Sequence, residues 1–169
     1  MSLTLHLSIH VALSILAGII TWRLWKNPLV SFVAAIVGGV LVDMDHFIDY
    51  FLALGFKFDL GYFSHGYQFL QSGKIYMLFH GWEYVIILLA VAFLVKKQLV
   101  LKSVSFALAL GMFFHLCFDT FQNDGMSVKA YSIIFRASKN FESKLIVTPQ
   151  HYQKFLIERK NAPFLKYSN

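Results

Sequence analysis

The chain has 169 residues, of which 57% are hydrophobic and only 14% charged, with a mean hydropathy of +0.59. Soluble domains are roughly 45–50% apolar and about 25% charged, so this composition argues against an ordinary soluble domain, and a disordered chain cannot be this apolar. The net charge of +6 fits the basic loops and tail of a membrane chain, and no nucleic-acid partner is expected.

Four apolar runs follow one another. The first, about 3–24, has no basic residue before it and no small-x-small cleavage site, so it is expected to be retained and not removed as a signal peptide. Trp22 to Asn27 is a short connection to the second run, about 29–54, entered through Pro28, a residue suited to a first helical turn. Gly55 to Lys74 is long, rich in Gly and aromatics, and too polar to span; it is expected to lie at the interface as a lid or surface loop. The third run, about 75–95, and the fourth, about 99–121, are joined by Lys96-Lys97-Gln98. Each run supplies the about 20 residues that a hydrocarbon core of about 30 Å requires. Trp22, Trp25, Tyr62, Tyr67, Tyr76 and Trp82 fall near the run ends, as an interfacial belt does. Gly18, Gly38-Gly39 and the Ala107/Gly111 pair read as close helix-packing positions. Cys117 is the single cysteine, so no intrachain disulfide forms, and it reads as an inert buried thiol.

The composition then changes. Residues 123–169 hold eight of the fifteen Lys and Arg. Thr148-Pro149 predicts an N-cap and a first helical turn, and Tyr152, Phe155 and Leu156 recur at helical spacing beside Lys154, Arg159 and Lys160. Either a solvated basic tail or an amphipathic helix on anionic lipid results. Asp59, Asp124, Glu142, Glu158 and His151 read as solvated groups. The expected organisation is an all-α, integral membrane four-helix bundle over 1–123, with a long interfacial loop and an amphipathic basic tail over 124–169.

The informative residues are the ionisable ones inside the runs: His6 and His10; Asp43, Asp45, His46 and Asp49; His80 and Glu83; His115 and Asp119. A charged group at the centre of a membrane helix costs about 2.5–3.5 kcal/mol. Lys and Arg are absent from the run interiors, so salt bridges cannot offset that cost. Protonation or a metal cation can, and imidazole mixed with carboxylate favours a metal. Depth supports convergence. Counted from the face carrying the two short loops, His10, Asp45, His80 and His115 lie 15, 17, 15 and 16 residues in, all about 22–25 Å along a helix. His115 and Asp119 share a face at i,i+4, as do His80 and Glu83 at i,i+3. Asp43, Asp45, His46 and Asp49 spread over about 160° of helix, so some of these carboxylates are expected to orient ligating histidines and not bind metal themselves.

This pattern resembles the YdjM-like (DUF457) family of membrane-bound, metal-dependent hydrolases. His10 matches the family's early His, Val42-Asp43-Met44-Asp45-His46 its Pro-Asp-x-Asp-His motif with Val for Pro, and His115-Leu116-Cys117-Phe118-Asp119 its closing His-x-x-x-Asp. Phe79-His80-Gly81-Trp82-Glu83 stands where the family has His-Arg-Gly-x-Thr-His-Ser. The resemblance covers roughly residues 3–123 and implies a hydrolase.

The residues and the resemblance together predict one or two divalent ions, Zn first, with Mn, Fe, Ni or Mg as other choices. His10, Asp43, Asp45, His46, His80, His115 and Asp119 are the candidate ligands. Glu83 is the candidate general base, with Asp119 also counted among the catalytic carboxylates; Asp49, His65 and His6 are expected to support ligands or touch substrate. The site's height suits a lipid or lipid-linked substrate with a phosphoester or ester bond. Two other classes stay open, an ion transporter or proton relay and a non-enzymatic scaffold pinned by a structural metal. Arg23, Lys26, Lys96, Lys97 and Lys102 favour cytoplasmic short loops and an extracytoplasmic site, as in a bacterial inner membrane; the tail cations argue the reverse.

Overall fold

A computed structural model describes residues 2–95, 97–123 and 125–162. Met1, Lys96, Asp124 and residues 163–169 lie outside the described residues, and with them two of the expected loop charges and the end of the tail. Every regular element among the described residues is helical, with no strand. The chain groups into two compact units, each built from two segments: Met1–Asp43 with Phe79–Gln122, and Met44–Leu78 with Asn123–Asn169.

The first unit holds four helices: α1 (Leu3–Trp25), α2 (Pro28–Gly39), α6 (Trp82–Leu94) and α7 (Leu99–Gln122). Ser2 caps α1 by accepting from the Leu5 N–H, and Asn27 caps α2 ahead of Pro28. The side-chain pattern is the inverse of a soluble bundle. On α1 the buried positions are His10, Ser14, Ala17, Gly18 and Thr21, while Leu5, Val11, Ile15, Leu16 and Leu24 face outward. On α7 every fourth residue from Ser103 through Ala107, Gly111 and His115 to Asp119 is buried. On α2 the buried set is Ser31, Ala34, Ala35, Gly38 and Gly39. Small residues face small residues, so backbones approach closely, as helices associating without a hydrophobic driving force require. A Cβ on Gly38 would overlap the Leu108 carbonyl of α7, and one on Gly111 the Ala35 carbonyl of α2.

Helices α1 and α7 are long and apolar enough to cross a membrane, and a third crossing results if α2 is taken with the helical stretch Leu41–Leu54. Two of the four expected runs are not continuous helices. The run at 29–54 is not one helix: α2 stops at Gly39, a 3-10 turn occupies Leu41–Met44, and α3 (Asp45–Leu54) follows. The run at 75–95 is helical only over the 13 residues of α6, about 20 Å at 1.5 Å per residue, shorter than a bilayer core.

The second unit holds α3, α4 (Leu60–Ser64), α5 (Tyr67–Ser72), a 3-10 turn at Val128–Tyr131, α8 (Ile133–Ser138), α9 (Ser143–Ile146) and α10 (Pro149–Asn161). The loop expected at 55–74 is thus mostly two short helices. Thr148 caps α10 and Pro149 opens it, as the sequence predicts. Part of its apolar face is packed inward, Phe155 meeting Leu70, Ala162 and Tyr67. The tail also contains the largest fully buried side chain among the described residues, Arg136. Its guanidinium donates to the carbonyls of Tyr76 (3.0 Å), Met77 (2.7 Å) and Ala130 (2.5 Å). Asp49 accepts the N–H groups of the same two residues, Tyr76 at 3.1 Å and Met77 at 3.0 Å. The segment is gripped from both polarities, which holds Met77 at φ +42, a backbone region that non-glycine residues avoid.

Replacing Gly38 by Leu is expected to cost about 1–3 kcal/mol by overpacking, read as a lower unfolding midpoint in detergent. Leu29→Ala, at a position 74% exposed, leaves that midpoint unchanged. Arg136→Met strands three buried carbonyls at about 1–3 kcal/mol each. Hydrogen exchange at residues 75–78 is expected to accelerate, and Arg136→Lys, which keeps the charge but not the fork, fails to restore protection.

Candidate metal centre

The break after α2 has an identifiable cause. In a continuing helix the Gly39 carbonyl would accept from the Asp43 N–H. Instead it accepts from His115 Nδ1 at 2.9 Å, and the Asp43 N–H turns to the Val40 carbonyl at 3.3 Å. The resulting 3-10 turn carries Asp43. His115 is fixed at the same time: with its proton on Nδ1, the Nε2 lone pair points away from α2.

That lone pair faces a group of donors drawn from the first unit. His115 Nε2 lies 3.0 Å from His80 Nε2, 3.3 Å from Asp119 Oδ2 and 3.5 Å from Asp43 Oδ1. His80 Nε2 lies 3.3 Å from Asp43 Oδ1 and 3.7 Å from Asp119 Oδ2. All four ligand atoms fall within 4.8 Å of one another. Bonds of about 2.0–2.1 Å in a tetrahedral site give ligand–ligand edges of about 3.3–3.4 Å, and five of the six edges here cluster around that value. The donor set suits a metal for a second reason. Neutral His115 presents a lone pair to two carboxylate oxygens, a repulsive arrangement unless a cation sits between them or a proton is added. A divalent ion would balance the charges of Asp43 and Asp119. This buried His/Asp group can therefore hold a metal ion.

Beside it, His6 and His10 project from one face of α1. Their Nε2 atoms are 2.9 Å apart, and they lie 3.5 and 3.2 Å from Asp119 Oδ1. The His10 ring stacks on His115 with centroids 3.9 Å apart, and Phe118 packs against both α1 histidines. His10, His80 and His115 have no exposed surface, whereas the side chains of Asp43 and His6 are 18% and 23% exposed. Access to the cluster is at those two side chains.

His10, Asp43, His80, His115 and Asp119 are thus brought together as expected, and His6, expected only to support them, stands among the donors; its i,i+4 spacing to His10 was the available signal. His80 is not on a helix face with Glu83. It lies in the turn before α6, and Glu83 is half-buried in the first helical turn, outside the four-residue group. Asp45, His46 and Asp49 belong to the second unit. Asp49 is the backbone clamp of residues 76–77 described above, and the exposed His65 bonds locally through Nδ1 to the Gly61 carbonyl at 2.6 Å. Arg136 was missed altogether, since a cation in a basic tail carries no signal that it is buried. No family model, curated protein or solved structure matches the chain.

Ligand that binds only the folded state stabilises it by about 4 kcal/mol at a thousandfold excess over its dissociation constant. Zn²⁺ added to chelator-stripped protein is expected to raise the thermal midpoint, and His115→Ala or Asp43→Asn is expected to abolish that response, measured by calorimetry in detergent.

Proposed function

We propose that the chain is a multi-pass integral membrane protein and a metal-dependent hydrolase acting on a phosphoester or ester of a lipid or lipid-linked substrate. The observation that carries this is the buried Asp43–His80–His115–Asp119 group with an accessible edge, in helices whose apolar side chains face outward. The hydrolase assignment itself draws on the resemblance of residues 42–46 and 115–119 to the YdjM-like motifs, and membership in that family is part of the proposal.

When bound, a divalent ion such as Zn²⁺ supplies a water of lowered pKa and polarises the ester oxygen. The chain's own residues do the rest. His80, His115, Asp43 and Asp119 hold the ion, and the Gly39 carbonyl keeps His115 in the ligating tautomer. Glu83, three residues after His80, is assigned the role of proton acceptor. An apolar cleft of about 520 Å³ in the first unit supports the lipid assignment. Val42 and Phe79 line it, and each directly precedes a residue of the group, Asp43 and His80. A headgroup at the metal would place an acyl chain in that cleft. Contact with anionic lipid headgroups is assigned to the exposed Lys154, Arg159 and Lys160 of α10, and the site to the extracytoplasmic side.

A second reading, a metal-ion carrier, is favoured by the helix broken at Asp43 without proline, since carriers bind ions at discontinuous helices. A panel of lipid phosphomonoesters, phosphodiesters and carboxylic esters, assayed with Zn²⁺ or Mn²⁺ in proteoliposomes, separates the two. Hydrolysis that falls about 10²–10⁴-fold in Glu83→Gln and vanishes in His115→Ala supports the enzyme. Full turnover in both variants, or metal flux across the vesicle with no substrate cleaved, overturns it.

A further inference from the structure

We propose that the centre takes two metal ions, with Asp119 bridging them through one oxygen each. The inference rests on the metal assignment above and deepens it. The carboxylate of Asp119 divides its surroundings. Oδ2 faces His80 and His115 at 3.7 and 3.3 Å, while Oδ1 faces His6 and His10 at 3.5 and 3.2 Å. The second set is built like the first: His6 Nε2, His10 Nε2 and Asp119 Oδ1 form a triangle with edges of 2.9, 3.2 and 3.5 Å. Asp43 belongs to both, because its carboxylate also groups with His6 and His10 within 4.8 Å.

An independent observation points to a ligand on the α1 side. Asp119 is 3% exposed, yet its Oδ1 accepts no hydrogen bond. A buried carboxylate oxygen left without a donor is costly, and a cation held against His6 and His10 removes the cost. A single ion among Asp43, His80, His115 and Asp119 engages only Oδ2 and leaves Oδ1 facing two imidazole nitrogens. Carboxylates that span two ions are the natural bridge in centres where the ions lie about 3.5–4 Å apart, an arrangement that stabilises both the attacking and the leaving oxygen of a displacement. The pair His6/His10 then defines one ion and the pair His80/His115 the other. The more exposed His6 puts the α1 ion on the accessible side.

The test uses the full chain in detergent, stripped and reloaded with Mn²⁺. The expected result is two Mn²⁺ per chain by elemental analysis, and an exchange-coupled, multi-line electron paramagnetic resonance signal. The His6→Ala/His10→Ala double variant is expected to halve the metal ratio and give the six-line signal of an isolated Mn²⁺. The wild-type spectrum decides by itself if that variant fails to fold. One Mn²⁺ per chain with an uncoupled signal, or a coupled signal that survives loss of both α1 histidines, overturns the proposal. One ion with hydrolysis retained sinks the bridge and keeps the enzyme assignment; two coupled ions without hydrolysis do the reverse.

Discussion

His115 donates its Nδ1 proton to the carbonyl of Gly39 at 2.9 Å, and three features depend on that contact. It withdraws the carbonyl from the helix ladder, so α2 ends there. It sends the chain into the 3-10 turn that presents Asp43. It also leaves His115 Nε2 as a lone pair aimed at His80, Asp43 and Asp119. The contact needs the backbones of α2 and α7 within touching distance, which only glycine permits at Gly38 and Gly111. The stripe of small residues on each helix is therefore the precondition for the chemistry at its end, and the packing and the site are one design.

The cluster also obeys a charge constraint. Two carboxylates and four histidines converge in a bundle whose outer face is Leu, Ile and Val. Lys and Arg lie near the helix ends or in the second unit, away from the apolar run interiors. Salt bridges to Lys or Arg are a usual remedy for buried acids, and the pairs at Asp119 are with histidine instead. Where a buried cation was needed for structure, in the second unit, the chain supplied Arg136 and matched it with backbone carbonyls. The absence of such a partner for Asp119 is thus specific to the cluster.

Much of the frame was legible in the amino-acid order. The ends of α1 and α7 agree with the apolar runs to within a residue or two, because hydropathy is a local signal. The donors His10, Asp43, His80, His115 and Asp119 were legible for the same reason: an ionisable group in an apolar run stands out. The breaks were not. Residues 29–54 average as apolar whether or not a helix runs through them, and the event that stops α2 comes from a histidine 76 positions away. Tyr76 and Met77 are held off the helical path by Arg136, about 60 positions distant, together with Asp49. Both failures share one physical origin. A side chain competing for a backbone hydrogen bond from far along the chain leaves no trace in a sliding window of composition.

The exposure pattern around the cluster bears on what a bound ion would be for. Structural metal sites are closed, with every coordination position filled by protein and the ligands sealed from solvent. Here His10, His80 and His115 are sealed, yet Asp43 and His6 retain 18% and 23% of their surface. The cluster is therefore reached at those two side chains. Val42 and Phe79, the chain neighbours of Asp43 and His80, line the apolar cleft, whose other walls include Leu88 and Met112. Under the proposed hydrolase reading, the partly exposed ligands and the cavity of about 520 Å³ have distinct uses. A centre that receives an amphiphile needs both, with polar access for water at the metal and an apolar recess for the chain beside it.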